Sequence, residues 1–346
     1  MRGSTTSAEV ERKLLAILRV LAAAEEPIGA RAIAQQLANE GIELSERTVR
    51  YHLRMMDEWG LTKNLGEPGR LITERGLEEI EDAGVSDKLG FVIAKIDALA
   101  YRSNFDMATK RGRIILNLSF IPEERYDEGL EIMRDVFRAG YCMSKLVVVR
   151  RAGERVGGML VPEGKVGFGT VCTVTINSVL LKRGIPVESK YAGVLEVYRD
   201  KPLRFTHLVA YAGTTVDPTE MFISGRMTSV REASLVGRGK ILASFREVPA
   251  AAEADLEAVL EQYRQQGLGG ILAVGRPSQP LLEVPVGMDR IGIAVVAGLT
   301  PVAALAESGI EVESKAMSAL VDFSELVPVE KLQGQSGASP ARAREE

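Results

Sequence analysis

Three arginines and a tyrosine in one short segment are the residues whose types and spacing most clearly suggest chemistry. In LSERTVRYHLRMMDEWGL, Arg47, Arg50 and Arg54 are spaced by three and four positions, with Tyr51 beside them, so they would share one side of a helix. In the major groove of DNA, an arginine can donate two hydrogen bonds to guanine or bind a phosphate. The segment therefore predicts contact with duplex DNA.

The opposite side of the same segment is apolar. Val49, Leu53 and Met56 fall at helical spacing and would pack against other helices. Ser45 is a candidate N-cap, and Gly60 would end the helix. Three arginines taken alone are also typical of a helix face that is simply solvated. The order of the surrounding elements must therefore decide between the two interpretations.

The surrounding elements follow the order of a winged helix-turn-helix. A helix with apolar residues from Leu14 to Leu21 precedes a shorter helix from Ala30 to Asn39. After the arginine-rich helix, LTKNLGEPGRLIT predicts two short strands around a turn at 66–69, and a last helix runs from Glu74 to Asp82. This order predicts a winged helix DNA-binding domain in residues 1–85.

The predicted DNA contacts lie on the third helix and on the hairpin. The N-terminal residues of a recognition helix reach base edges, which adds Ser45 and Thr48 to the arginines. His52 lacks a visible partner and is interpreted as a packed or partly exposed histidine. The full predicted set is Ser45, Arg47, Thr48, Arg50, Tyr51, Arg54, Lys63 and Arg70.

Composition limits the class of protein. The chain has 346 residues, of which 46% are hydrophobic and 26% charged, enough for two or three domains. Its net charge of -4 requires any DNA contact to come from a local patch. The sequence has no membrane span and no signal peptide, so we expect a cytoplasmic protein with no membrane partner. Two cysteines, Cys142 and Cys172, are too few for a disulfide framework or a zinc site, and no metal site is predicted.

The rest of the chain repeats itself. GRIILNLSFIP at 112–122 matches GKILASFREVP at 239–249 with an offset of 127 residues. The segments 165–190 and 290–315 match with an offset of 125 residues and both end in GI-x-VESK. Each copy contains strand, helix, strand, strand, helix and strand, which predicts two related α/β halves.

The predicted fold class is α/β (α+β), with an N-terminal winged helix-turn-helix followed by an internally duplicated α/β sensor domain. A helical stretch from Lys88 to Ala100 is interpreted as a connecting or dimerisation helix. The polar C-terminus is expected to be disordered. The predicted segments are 1–85 for the winged helix, 86–110 for the connecting helix, 111–330 for the sensor with repeats at about 111–230 and 237–330, and 331–346 for the tail.

Polar side chains that differ between the copies suggest a ligand site. The first copy holds Thr170, Thr173, Thr175 and Asn177, whereas the second is more apolar at these positions. Together with the free N–H groups of a helix expected over 177–183, they could bind a carboxylate. Helix capping alone is the alternative interpretation. The predicted effector-binding set is Thr170, Thr173, Thr175, Asn177, Lys190, His207, Arg226 and Thr228, with Tyr191 and Tyr211 as further candidates and Arg226 as the carboxylate partner.

Several enzyme classes are disfavoured by what the sequence lacks. It shows no nucleophile–base pair, no metal cluster and only two histidines. Gly167 and Gly169 are not followed by the third glycine of a dinucleotide-binding turn. We therefore predict no catalytic residues, no cofactor and no enzyme activity.

Four segments together resemble the NrpR-type nitrogen repressors. They are LSERTVRYHLRMMDEWGLT, GFVIAKIDALAY, GTVCTVTINSVLLKRGIPVESKYAGVLEV and MFISGRMTSV, and the likeness extends to about Val329. The resemblance implies one nitrogen regulatory domain and repression of nitrogen-assimilation genes that 2-oxoglutarate relieves. Some family members carry two such domains, which leaves open whether this chain acts alone or with a second homologous regulator subunit.

The residues and the resemblance lead to one mechanism and two alternatives. We expect a homodimer that places two winged helices on a palindromic operator, with an effector in the sensor changing their spacing or orientation. A dianion such as 2-oxoglutarate would seek a helix N-terminus and a basic side chain. The alternatives are a sensor for a different small metabolite and an enzyme domain fused to a DNA-binding module.

Overall fold

The computed structural model describes residues 4–24, 26–39, 42–82 and 90–332. The chain divides into two compact units after Leu89. The linker expected at 83–87 and the tail beyond Leu332 lie outside the described residues, as does Gly41. No helix in these four ranges is long and apolar enough to cross a membrane.

The N-terminal unit is a small helical domain with a two-stranded antiparallel hairpin. Its core is formed by apolar residues of the first three helices, among them Ile17, Ile33 and Leu53, all with no exposed surface. The elements are α1 (Ser4–Ala22), α2 (Ala30–Asn39), α3 (Glu46–Glu58), β1 (Thr62–Asn64), β2 (Arg70–Ile72) and α4 (Glu74–Asp82).

The hairpin is held against the segment before α2 by a close backbone approach. Ile28 and Arg70 exchange two backbone hydrogen bonds of 3.2 and 3.0 Å. Gly69 makes this approach possible, because its φ is +111° and a Cβ there would lie 2.4 Å from the carbonyl oxygen of Ile28. The turn predicted at 66–69 therefore both reverses the chain and docks the wing.

The second unit contains two five-stranded antiparallel sheets with helices packed on them. The strands reach 12 residues and their central positions are buried on both faces. The helices are α5 (Phe91–Arg102), α6 (Tyr126–Ala139), α7 (Val174–Lys182), α8 (Pro218–Ser224), α9 (Val230–Val236), α10 (Glu253–Gln265) and α11 (Thr300–Glu307). The strands are β3 (Arg113–Pro122), β4 (Leu146–Arg150), β5 (Arg155–Val156), β6 (Met159–Leu160), β7 (Lys165–Val171), β8 (Glu188–Tyr198), β9 (Lys201–Ala210), β10 (Arg238–Pro249), β11 (Ile271–Val274), β12 (Arg290–Val296), β13 (Glu313–Asp322) and β14 (Val327–Pro328).

The two repeats exchange their last strands. The first sheet has the order β13-β3-β7-β4-β14, and the second has the order β11-β12-β10-β8-β9. Strands β8 and β9 end the first repeat but lie in the second sheet, where β8 pairs with β10. Strands β13 and β14 end the second repeat but pair with β3 and β4 of the first. The predicted pair of α/β halves is therefore present, but each half is completed by the other.

Helix α5 packs inside the second unit. Val92 and Ile96 are buried in its core, and Lys95 Nζ donates a 3.1 Å hydrogen bond to the carbonyl oxygen of Ala316. The sequence predicts a separate segment at 86–110 for this helix, but its buried side chains pack in the core of the second unit. Its role as a dimerisation helix stays a prediction.

Candidate functional site

The arginine-rich face of α3 is exposed, as its spacing predicted. Arg47, Arg50, Tyr51 and Arg54 surround one shallow concave surface, and Tyr51 is 63% exposed. Arg50 forms an ion pair with Glu46 one turn earlier. An exposed pair of this kind is worth little, so a DNA phosphate can replace the carboxylate at small cost.

The start of α3 is fixed by its cap. The Ser45 hydroxyl accepts a 3.1 Å hydrogen bond from the backbone N–H of Thr48, and the two hydroxyls are 2.8 Å apart. Ser45 is exposed and Thr48 half-buried. Both therefore lie at the exposed end of the helix, where a recognition helix contacts bases.

The two basic residues of the hairpin differ in accessibility. Lys63 is exposed, whereas the Arg70 side chain is only 15% exposed and its Nε donates to Asp57 at 2.9 Å. Asp57 also accepts a 2.6 Å hydrogen bond from Thr62. Arg70 thus links the wing to the end of α3, and its guanidinium is engaged by Asp57 instead of being presented to DNA as predicted.

His52 lies on the buried side of α3. It is 5% exposed, and its Nδ1 has no hydrogen-bond partner among the described residues. Burial, helped by the positive charge of Lys13, lowers the pKa of His52. The imidazole is therefore a neutral part of the domain core.

A small polar cavity lies where the two repeats of the sensor meet. Its volume of about 20 Å³ is enough for about one water molecule. It lies near the first residues of α7 and α11, and both repeats contribute to its wall. The principal polar lining residues are Asn117, Thr173, Tyr211, Asp217, Thr219 and Arg246.

Arg246 dominates the cavity. The side chain is 1% exposed, its Nε donates to Asn177 Oδ1 at 2.6 Å, and its Nη1 donates to Ser244 at 2.7 Å. Burial lowers the pKa of Arg246, but a guanidinium remains charged at neutral pH. No carboxylate in the described ranges forms a salt bridge with it. A buried cation in this situation favours an anion in the adjoining space.

Burial raises the pKa values of two carboxyl groups near the cavity, those of Asp217 and Glu220. Asp217 caps α8 by accepting a 2.8 Å hydrogen bond from the N–H of Thr219, and burial raises the pKa of Asp217. Burial also raises the pKa of Glu220, which accepts from the N–H of Ala316. Asp217 therefore takes up a proton more readily than an exposed aspartate does.

The structure divides the predicted effector residues into two groups. Thr173 lines the cavity, and Asn177 positions Arg246. Thr175 is buried and bonded to the carbonyl oxygen of Ile115, while Thr170 is buried in β7 with its hydroxyl unpartnered in the described structure. The helix begins at Val174 rather than Asn177, so Thr175 and Asn177 lie inside it and not before it.

The other four predicted residues do not line the cavity. Lys190 pairs with Glu188 at 2.9 Å, and Thr228 donates to Glu307 at 2.6 Å. His207 and Arg226 are exposed, His207 on strand β9 and Arg226 after α8. The prediction of Arg226 as the carboxylate partner thus gains no support from the cavity.

Sequence reasoning missed Arg246, although the repeat contained a signal. With the offset of 127 residues, Arg246 corresponds to Ser119, and both are buried polar residues within mainly apolar strands. In the first sheet Ser119 faces Ser314 across the strands, with hydroxyls 3.0 Å apart, and in the second Arg246 faces Ser189. The first sheet forms with a serine at this position, so the fold does not require an arginine there.

Comparison with known proteins supports both units. Residues 89–328 match the family described as NrpR regulatory domains NRD1 and 2, and residues 15–80 match the Ribonuclease R winged-helix domain. A crystal structure of a nitrogen repressor-like protein from Methanococcus jannaschii superposes with a TM-score of 0.59 at 28% identity, covering 70% of this chain and 99% of that one. The predicted fold class is confirmed.

Two curated relatives carry the same kind of name. The global nitrogen regulator NrpRI of Methanosarcina mazei is 40% identical over 91% of this chain and 97% of its own length. The global nitrogen regulator NrpR of Methanocaldococcus jannaschii is 33% identical over 94% of this chain and 56% of its own. Both names describe regulators, which confirms the predicted non-enzymatic class. The chain therefore belongs to the NrpR family of global nitrogen regulators and is a transcriptional repressor.

Proposed function

We propose that this repressor binds the operators of nitrogen-assimilation genes through α3 and the wing, and that 2-oxoglutarate releases it by binding at Arg246. The observation that carries the effector part is the buried guanidinium of Arg246, which borders a cavity and has no carboxylate partner in the described structure. The winged-helix match and the exposed arginines support the DNA part. We place the protein in the cytoplasm.

The DNA contacts proposed for α3 divide by type. Arg47 and Arg50 are close to the helix start and are suited to base edges, whereas Arg54 is a turn further along and is suited to phosphate. Lys63 on the wing adds a second phosphate contact. A homodimer would place two such helices on a palindromic operator, and a second homologous subunit is the alternative arrangement.

A dicarboxylate fits the polar groups around the cavity. One carboxylate can accept two hydrogen bonds from Arg246, and the Thr173 and Thr219 hydroxyls can donate further hydrogen bonds to the ligand. The present volume of about 20 Å³ is too small for such a ligand. Binding must therefore widen the cavity, and a ligand that binds only the widened form shifts the population toward it.

Anisotropy of labelled promoter DNA, titrated with the full chain with and without 2-oxoglutarate at fixed salt, tests the proposal. We expect 2-oxoglutarate to weaken specific binding by wild-type protein. Arg246→Met should bind the DNA but ignore the metabolite, because it keeps much of the volume and loses the charge. Arg226→Gln is the matched control and should respond like wild type.

Two results would overturn parts of the proposal. Wild-type binding that is indifferent to 2-oxoglutarate would assign the cavity to a different acidic metabolite. A normal response of Arg246→Met combined with a lost response of Arg226→Gln would move the effector site to the exposed arginine.

A further inference from the structure

A second concentration of positive charge lies at the beginning of the sensor unit, separate from the winged helix in sequence. It surrounds the segment 103–113 between α5 and β3, and we call it the basic surface. Its members are Arg102, Lys110, Arg111, Arg113, Lys182 and Arg183.

Hydrogen bonds bring these residues together from three elements. Lys182 Nζ at the end of α7 donates to the carbonyl oxygen of Ser103, which follows α5. Asn104 Oδ1 accepts a 2.7 Å hydrogen bond from the N–H of Arg113, and Asp106 and Arg111 form an antiparallel bridge. The segment therefore closes on itself and on the end of α7.

The segment is also anchored in the core, so the charges are presented by a fixed backbone. Phe105 and Met107 are buried, and the Phe105 ring lies 4.7 Å from that of Phe323. Gly112 has φ +97°, and a Cβ there would lie 2.3 Å from the carbonyl oxygen of Asn104. A surface arranged in advance loses little conformational entropy on binding.

Most of the charge is uncompensated. Arg102, Lys110, Arg111 and Arg113 are exposed, and within the described part of the chain their side chains form no ion pair or hydrogen bond. Asp106 accepts hydrogen bonds from the backbone N–H groups of Ala108 and Thr109, and its negative charge acts on Lys182 and Arg183 rather than on these four side chains. Beside the surface, the Tyr101 side chain is 81% exposed.

The internal repeat shows that the fold does not require this charge. Arg111 and Arg113 correspond to Arg238 and Lys240 in the second copy, so both copies keep two cations at the start of the strand. The other four basic residues have no basic counterpart. Lys182 and Arg183 correspond to Glu307 and Ser308, while Arg102 and Lys110 precede the first copy.

We propose that the basic surface binds the phosphate backbone of duplex DNA beside the operator half-site, adding affinity that does not depend on base sequence. The proposal rests on the DNA binding proposed above. Exposed lysine and arginine with an exposed tyrosine suit a polyanion. Only seven residues separate Asp82 from Gly90 in the sequence, and a chain of that length spans at most about 25 Å.

The repeat supplies a matched pair of variants for the test. Arg111→Gln/Arg113→Gln removes two charges from the basic surface, and Arg238→Gln/Lys240→Gln removes two at the equivalent place in the second copy. Anisotropy would measure the binding of each full-length variant to operator DNA and to a scrambled duplex between about 50 and 200 mM salt. Arg47→Gln/Arg50→Gln on α3 is run in parallel.

We expect the slope of log K against log salt to be shallower by about 1.8 in the basic-surface variant, since each phosphate contact contributes about −0.9 to the slope. The loss of affinity should be equal for the operator and the scrambled duplex. The control variant Arg238→Gln/Lys240→Gln should keep the wild-type slope. An unaltered slope for the basic-surface variant, or an equal fall in the control pair, would overturn the proposal, and an acidic protein partner would then be the occupant to test. A wild-type protein that does not prefer the operator would instead contradict the proposed repressor site, while the scrambled duplex still tests the basic surface.

Discussion

Arg246 and His52 are both buried side chains that can carry a proton, and they differ in how burial is compensated. Arg246 keeps its charge and donates to Asn177 and Ser244. His52 has no partner for Nδ1 in the described structure and is held neutral by burial. The charge of Arg246 can attract an anion, whereas protonation of His52 at acid pH would place an uncompensated charge in the core.

His52 should make the stability of the winged helix depend on pH. Its pKa in the folded protein is lower than the unfolded value of 6.5, so the unfolded chain binds the proton more readily. The stabilisation is therefore complete above the unfolded pKa and is lost as pH falls toward the folded pKa. Urea unfolding at about pH 7.5 and about pH 5, followed by the fluorescence of Trp59, should show a lower midpoint at acid pH.

Trp59 is suited to this measurement because it is the chain's single tryptophan and lies at the end of α3. His52→Gln keeps a polar side chain of similar size that does not titrate. The urea midpoint of this variant should differ much less between the two pH values than that of the wild type. An equal acid loss in His52→Gln would mean that other groups titrate.

At the scale of elements, the sequence located most helices and strands because their boundaries carry local signals. The bounds of α2 and α4 are as predicted, and Ser45 caps α3 as expected. The start of α7 was missed because Thr173 makes no side-chain cap and apolar residues continue from β7 into the helix. Neither the Arg70–Asp57 pair nor Arg246 could be placed, since both depend on residues that meet only in the folded chain.

Ser45→Ala should destabilise the winged helix by about 1 kcal/mol, because the N–H of Thr48 loses its acceptor. The urea midpoint reported by Trp59 fluorescence measures the change. Ser45→Asp restores an acceptor at the helix start and should recover most of the stability. A loss in Ser45→Asp equal to that in Ser45→Ala would show that the cap contributes little.

At the scale of the whole molecule, each five-stranded sheet of the sensor depends on both repeats. β10 is the strand between β12 of its own repeat and β8 of the other, and β3 lies likewise between β7 and β13. One repeat therefore cannot lose its sheet without removing a strand from the second. We expect the sensor to unfold as one cooperative unit.

Gly298→Ala should test this coupling. A Cβ at Gly298 would lie 2.3 Å from the carbonyl oxygen of Val171 and 2.4 Å from Asn117 Nδ2, both in the first repeat. We expect the free energy of unfolding to fall by about 1–3 kcal/mol, because the added Cβ overpacks a close backbone contact. Amide exchange should accelerate equally in β3 and β10. Gly213→Ala is the control, since a Cβ there meets no atom within 4 Å. Faster exchange confined to the second repeat would contradict a single unit.

The exchange of β8 and β13 also bears on ancestry. A polypeptide with a single repeat would have had no second half to complete its sheet, and could have done so only by exchanging its last two strands with another copy. The sensor thus has the architecture of a strand-swapped pair of identical chains whose genes duplicated and fused. Joined in one chain, the two halves need not be identical, and the matching place holds Ser119 in one half and Arg246 in the other.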